Sequence, residues 1–330
     1  MAGEVGPSGP GYPGTWAEFR AWFPDEEACA GYVERLRWSG GIACRACGER
    51  RGWRTARGRW WICSGCAVKT SVTAGTIFDR TRTPLETWFA AAWWVTSQKH
   101  GLSALGLQRA LGLGSYQTAW MMLHRFRAAM VRPGRELLGG TVEVDETYVG
   151  GEEPRVHGRE TATKSIVANA TKSIVAIAVE LREPKGFGRV RLARVPDVSA
   201  ASLVGFVREH VQPSAAVHTD GWRSYLTLPD HGYAHERTVM SASGDPAHVA
   251  MPGVHRVASL LKRWLLGTHQ GGVSPQHLDA YLGEFTFRFN RRTSRKRGLL
   301  FYRLLEHAVA TPPMTYKQTI RPDLQQPNCA

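Results

Sequence analysis

Four cysteines constrain this chain more than any other feature. Cys44-x2-Cys47 and Cys63-x2-Cys66 are two CxxC pairs with fifteen residues between them, a spacing that folds back to set four thiolates around one Zn²⁺ ion. A closed four-sulfur site holds a short hairpin module together and leaves no open position for catalysis. Two disulfides are the competing reading. The first thirty residues disfavour it, because no basic start leads into an apolar stretch and the chain reads as unexported. Cys29 and Cys329 have no partner in the pattern and read as incidental.

The residues around the cysteines are basic and aromatic. Arg50, Arg51, Arg54, Arg57, Arg59, Trp53, Trp60 and Trp61 offer charge and flat surfaces to a nucleic acid. The whole chain of 330 residues carries 42 Lys+Arg against 28 Asp+Glu, a formal +14, which points to a large polyanion as partner. Nucleic acid comes first and an anionic membrane surface second. With 43% hydrophobic and 21% charged residues, a disordered chain is excluded and two or three globular units are expected. No run approaches the roughly 18 apolar residues of a membrane span. The expected location is the cytoplasm, with the bacterial nucleoid.

Along the chain, residues 1–17 are rich in Gly and Pro and read as a disordered leader. Acidic residues at Asp25 open a short helix that ends at Ser39-Gly40-Gly41, and with the cysteines this gives a zinc ribbon with a preceding helix over 18–72. Thr83-Pro84-Leu85-Glu86 reads as a helix start capped by Thr83. A second, short helix follows Ser103, Gly112 ends it, and Ser115 caps a third. Short helix, glycine turn, longer helix is a helix-turn-helix outline, here over 83–133, with Arg125, Arg127 and Arg132 as added charge.

After Gly139-Gly140 the pattern becomes strand-like at 141–149, 173–181 and 189–195. A helix from Ser199, a strand near 215–218 and helices at 254–266, 275–289 and about 298–310 complete a multi-domain α/β outline. Its last strand is expected beside its first. The near-copies TKSIVANA (163–170) and TKSIVAIA (171–178) are too short for a repeat architecture, and only one can occupy the second strand. A tail is expected over 311–330.

Asp145 lies in the first of these strands and Asp220 at the end of the fourth. Carboxylates on adjacent strand ends can share divalent ions, which phosphodiester chemistry uses to activate the attacking oxygen and stabilise the leaving one. Glu143, Glu146 and His218 flank them and could orient the pair.

The ribbon, VDETYVGG at 144–151, HTDGW at 218–222, SLLKR at 259–263 and HLDAYLGEFTFRFNRR at 277–292 occur in this order. In them the chain, from 18 to about 310, resembles insertion-sequence transposases of the IS1595 type with an ISXO2-like, DDE-type catalytic domain. The resemblance implies a small zinc ribbon and a helix-turn-helix module followed by an RNase H-like mixed-sheet catalytic domain, here 139–310. It implies cleavage of the element's own ends and transfer of their 3′-hydroxyls into target DNA by two-metal phosphoryl transfer with Mg²⁺ or Mn²⁺. Asp145 matches the first catalytic carboxylate, Asp220 the second, and His255 falls at the third metal-binding position, seven residues before Lys262. Mg²⁺ prefers oxygen ligands and imidazole suits Mn²⁺ better, so Glu236 and Glu284 stand as alternative acids. On a helix His255, Ser259 and Lys262 share one face. Lys262, Arg263, Arg291, Arg292, Arg125 and Arg59 are the expected DNA contacts. Implied partners are double-stranded DNA, as element terminal inverted repeats and target, and further copies of the chain in a homodimer or higher assembly. A catalytically silent DNA-binding regulator derived from such a transposase is the alternative. A structure-specific nuclease is a third reading.

Overall fold

The computed structural model describes residues 4–6, 9–44, 46–55, 60–132, 134–150, 172–182, 184–238 and 247–320. Arg59, the first near-copy at 163–170 and Cys329 lie outside these residues. The chain divides into two units, one made of Met1–Arg132 with Thr293–Ala330, the other of Pro133–Arg292.

In the first unit the described part of the stretch read as a leader, residues 4–6 and 9–17, is built into the fold. It holds the strand pair β1 (Glu4–Gly6) and β2 (Gly9–Tyr12) and the start of helix α1 (Trp16–Trp22), which Thr15 caps through the Glu18 amide. Tyr12 is what corrects the expectation: it is buried, with its ring 5.9 Å from Tyr302, and the Tyr32 hydroxyl donates to the Gly11 carbonyl at 2.8 Å. Helix α2 (Glu26–Arg37) starts at Asp25, whose side chain accepts from the Ala28 amide at 2.8 Å. Helix α3 (Leu85–Ser97) starts one residue later than Thr83 would cap it. Pro84 is its N-cap, with no side-chain bond of its own, and the Leu85 amide donates at 2.6 Å to Glu26 from α2. A carboxylate 59 residues away therefore satisfies one of the orphan amides of this helix.

Helices α4 (Ala104–Leu111) and α5 (Tyr116–Met130) follow the expected punctuation. Ser103 accepts from Gly106, Ser115 accepts from Gln117, and Gly112 leaves α4 at φ +61°. After the second unit the chain returns as α10 (Arg297–Ala310), the helix expected in the catalytic domain, and α11 (Tyr316–Ile320). Phe301 of α10 sits among Phe19, Phe23, Phe89 and Trp93 at centroid separations of 5.6–5.9 Å, so segments from both ends of the sequence share one aromatic core. Gly298 lets this helix approach: a Cβ there would stand 1.8 Å from the Pro13 carbonyl oxygen.

The ribbon sheet is β3 (Gly52–Arg54), β4 (Trp60–Cys63) and β5 (Lys69–Ser71), antiparallel in that order. Arg37 ties it to α2, donating to the carbonyls of Ser71 at 3.1 Å, Val72 at 2.9 Å and Ala74.

The second unit is a five-stranded mixed sheet of β6 (Thr141–Val149), β7 (Ser173–Leu181), β8 (Phe187–Val195), β9 (Ala216–Asp220) and β10 (Ala234–Thr238) in the order β10-β9-β6-β7-β8. The first three are antiparallel neighbours; β9 runs parallel to β6, and β10 parallel to β9. Strand β10 was not expected, since AHERT has neither alternation nor β-branched density. Helix α6 (Ala200–His210), capped by Ser199, covers one face through Leu203, Phe206 and Val207 against Val142, Val144, Ala176 and Val217. A short turn of helix, α7 (Ala247–Ala250), leads into α8 (Pro252–His269), and α9 (Leu278–Asn290) follows. These two longer helices cover the other face, with Val254, Val257, Leu261, Leu282 and Phe285 on Val175, Ile177, Val179 and Val190. No described helix is long and apolar enough to cross a membrane.

The cap that Glu26 gives α3 has a measurable cost when removed. Glu26→Ala should lower unfolding stability by about 1 kcal/mol, whereas Glu86→Ala, exposed in the first turn of the same helix, should change it by less than about 0.5 kcal/mol. Chemical denaturation of both variants checks this.

Candidate active site and metal centre

The four cysteines meet as their spacing requires. Their sulfur atoms all lie within 4.8 Å of one another, with Cys44 to Cys66 at 3.6 Å, Cys47 to Cys63 at 3.5 Å and Cys47 to Cys66 at 3.4 Å. A tetrahedron with Zn–S bonds of about 2.3 Å has edges of roughly 3.8 Å, so the donor set fits Zn²⁺ in kind and in size. The amides of Cys47 and Ala46 point at Cys44 and pull its thiol down to about 7, while Cys47 and Cys66, against the pull of nearby amides, are pushed up by hydrogen bonds among the crowded sulfurs, a sharing of protons that a bound cation would end. Ile42 and Trp61 pack beside Cys44 and Cys63.

The carboxylates are placed by strand register. Between β6 and β9, Glu143 stands opposite His218 and Val144 opposite Thr219, so the next step sets Asp145 beside Asp220. Alternation then sorts the side chains. Val142 and Val144 go down to α6, while Glu143 and Asp145 share the α8 face with Val175, Ile177 and Val179 of β7. On the far side of β9, Glu236 pairs with His218 and Thr238 with Asp220, which puts exposed Glu236 on this face as well. His218 Nε2 lies 2.7 Å from the Thr238 hydroxyl. Asp145 accepts from the Glu146 amide at 2.8 Å, and Asp220 from the Trp222 amide at 2.9 Å. Glu146 points to the opposite face, where the hydroxyl of fully buried Tyr225 donates to it at 3.0 Å.

Burial is the main reason why Asp145 holds its proton up to about 7, and the charges of Glu146, Asp220 and Glu143 push in the same direction. Crowded carboxylates in a poorly solvated corner repel one another, and a hard divalent cation relieves that repulsion.

Glu143 has a role that sequence reasoning missed. It is 1% exposed, and its Oε2 accepts from the Val254 amide at 2.9 Å, with the Gly253 amide also directed at it. It thus caps α8 from inside the sheet, two residues before Asp145. A Cβ at Gly253 would stand 2.8 Å from that oxygen, so glycine there allows the close approach. The only prior signal was its place in the acidic run Glu143, Asp145, Glu146 of a strand whose valines alternate.

His255 occupies the first turn of α8, half-buried, immediately after the amides that Glu143 holds. Lys262 and Arg263 are exposed on the same helix, with Val257, Leu261 and Leu265 buried on its other side. Among the described residues, the four cysteines alone gather three or more ligand atoms within 4.8 Å; Asp145, Asp220 and His255 do not form a second such group. Glu284, the downstream alternative, is 2% exposed and paired with Arg288 at 2.7 Å within α9.

Three arginines expected on DNA are engaged in the fold. Arg125 donates to the Ile77 carbonyl at 2.8 Å and the Met314 carbonyl at 3.1 Å, and burial lowers its affinity for a proton. Arg291 lies 4.0 Å over the Phe287 ring and donates to that residue's carbonyl. Arg292 lies 4.0 Å over Phe289 and donates to the carbonyls of Gly188, Phe289 and Phe187. Each guanidinium thus donates to backbone oxygens of its own unit.

The sequence comparisons identify both domains. Residues 137–290 match the ISXO2-like transposase domain and residues 24–69 the transposase zinc-ribbon domain. A protein in transposable element ISH50 of Halobacterium salinarum is 27% identical over 286 residues, covering 84% of this chain and 94% of the relative. A transposase-like protein of Haemophilus influenzae is 33% identical over 115 residues, 35% of this chain and 92% of the relative. The matches to the two domains and to these relatives show a transposase-class protein. The chain belongs to the IS1595-type family of insertion-sequence transposases.

Two outcomes test the site's electrostatics and architecture. The folded protein keeps a proton on Asp145 that the unfolded chain releases near pH 4, so its stability falls as pH rises from about 4 to about 7. Asp145→Asn removes that loss. Without divalent ions it should stabilise the protein at pH 8 by on the order of 1–3 kcal/mol and change little at pH 4, read by thermal melting at both values. Glu143→Ala should cost about 1–3 kcal/mol by leaving buried amides without an acceptor, whereas Glu236→Ala on the exposed part of the same face should cost less than about 0.5 kcal/mol; denaturant titration of the pair distinguishes them.

Proposed function

We propose that the second unit is an RNase H-like catalytic domain that cleaves the ends of its own element and transfers the 3′-hydroxyls into target DNA. The observation that carries this reading is the parallel register of β6 and β9, whose last pair, Val144 with Thr219, is followed directly by Asp145 and Asp220, with the Asp220 charge acting on Asp145. Three antiparallel strands followed by two parallel ones, with the fourth beside the first, support the fold assignment.

Asp145 and Asp220 would supply hard oxygen donors and His255, on α8, an imidazole nitrogen as the third ligand; Mg²⁺ suits the carboxylates and Mn²⁺ also tolerates the imidazole. Divalent ions bound there would neutralise charge on the attacking and leaving oxygens of an in-line displacement. The chain's own part is positioning: the sheet fixes both carboxylates, and Glu143 fixes the start of the helix that bears His255. Lys262 and Arg263, exposed on that helix, contact DNA phosphates and give binding a steep salt dependence. Helices α3 to α5 act as the helix-turn-helix module and the ribbon as a second DNA-binding element. The working form is a homodimer or higher assembly on paired element ends.

A labelled duplex carrying the sequences that flank the gene, incubated with protein and Mg²⁺ or Mn²⁺, tests the reading. Wild type should cut at the element end and join it to target. Asp145→Asn and Asp220→Asn should bind the duplex as tightly but cut at least about 10³-fold more slowly, the scale of several kcal/mol of metal-borne charge stabilisation. Normal cutting by Asp220→Asn would falsify the assignment. Tight binding by wild type without cutting in either metal would favour the silent DNA-binding regulator, and cutting of branched DNA without end preference the nuclease.

A further inference from the structure

The ribbon sheet has a face that its own core does not use. Trp53 on β3 stands opposite Ile62 on β4, and Ile62 and Trp60 stand opposite Lys69 and Ser71 on β5. Since alternate residues point to opposite faces, Trp61 and Cys63 lie on the face that forms the ribbon core with Ile42 and Cys44. Trp53, Trp60, Ile62 and Lys69 lie on the other. There Trp53 is 55% exposed and Trp60 45%. They are diagonal neighbours across the strand pair, roughly 7–8 Å apart in backbone spacing. Among the described residues neither indole has a ring or guanidinium partner.

The surroundings are positive. Arg50, Arg51 and Lys69 are exposed, and Glu49, the one acidic residue between 40 and 71, is paired with Arg51 at 3.2 Å. This combination of flat aromatic faces and positive charge complements a nucleic acid. A duplex, however, offers its base edges and phosphates, while the flat face of each base is covered by its neighbours. An indole can stack only on a base that has been freed from the helix, and such stacking tolerates any sequence.

We propose that Trp53 and Trp60 form a stacking platform for unpaired bases, so that the ribbon holds single-stranded DNA. This goes beyond the transposase reading and does not depend on cleavage. The platform takes bases wherever a strand is unpaired, and its affinity is independent of divalent metal at Asp145 and Asp220.

The test compares labelled single-stranded DNA with a duplex of the same sequence, by fluorescence anisotropy on the full-length, zinc-loaded protein. The double variant Trp53→Ala with Trp60→Ala should bind the single strand about 30-fold or more weakly, as expected for the loss of two stacking contacts, with duplex affinity and bound zinc unchanged. The double variant Trp53→Phe with Trp60→Phe should recover most of the loss. Parallel weakening on both DNAs, or no change on either, overturns the proposal. So does unchanged single-strand binding with a shift from oligomer to monomer in sedimentation, which would make the face a contact between copies. A measurement on the wild type alone guards against misfolded variants. Single strands containing iodouracil should photocrosslink to Trp53 or Trp60, and crosslinks confined to other residues contradict the platform.

Discussion

Parallel strands have no hairpin to set their register, so β6 and β9 are aligned by what lies under them. Val142, Val144 and Val217 must all reach the core beneath α6, and a slip of one residue would send them to the opposite face. That same requirement sets Asp145 beside Asp220. The two carboxylates are therefore held together by apolar packing on the reverse side of the sheet, although their own interaction is repulsive. A carboxylate pair crowded in this way costs stability where it sits and is stabilised from elsewhere.

Glu143 extends this dependence from the sheet to the helix above it. Its carboxylate sits on the same strand and face as Asp145 and holds the first amides of α8. The strand that carries the first carboxylate thus also locates the helix that carries His255, and the separation between them is set by buried hydrogen bonds rather than by loops. Residues that cap a helix from within a sheet limit how far that helix can drift.

Much of this was legible in the sequence, and the exceptions have physical causes. Strands β6 and β7 follow from their β-branched runs, and α4 to α6 from Ser103, Gly112, Ser115 and Ser199, because those signals are local. The cysteine site was legible from spacing alone. Glu26 capping α3 and Glu143 capping α8 were not, since each joins residues far apart in the chain. Strand β10 is an edge strand whose polar composition matches its exposure. The leader was misread because its Gly and Pro residues hide Tyr12, whose burial depends on Tyr302 and Tyr32. Charge identified Arg125, Arg291 and Arg292 as candidates for DNA, but charge cannot say whether a guanidinium meets a phosphate or a carbonyl.

The first unit is completed by a helix that comes after the whole of the second. During synthesis the ribbon and helices α1 to α5 emerge early, but their aromatic core stays open at the place of Phe301 until the last forty residues or so have left the ribosome. The first unit therefore finishes folding only after the sheet with its carboxylates has been made. A chain that stops before Arg297 would lack the helix that closes that core.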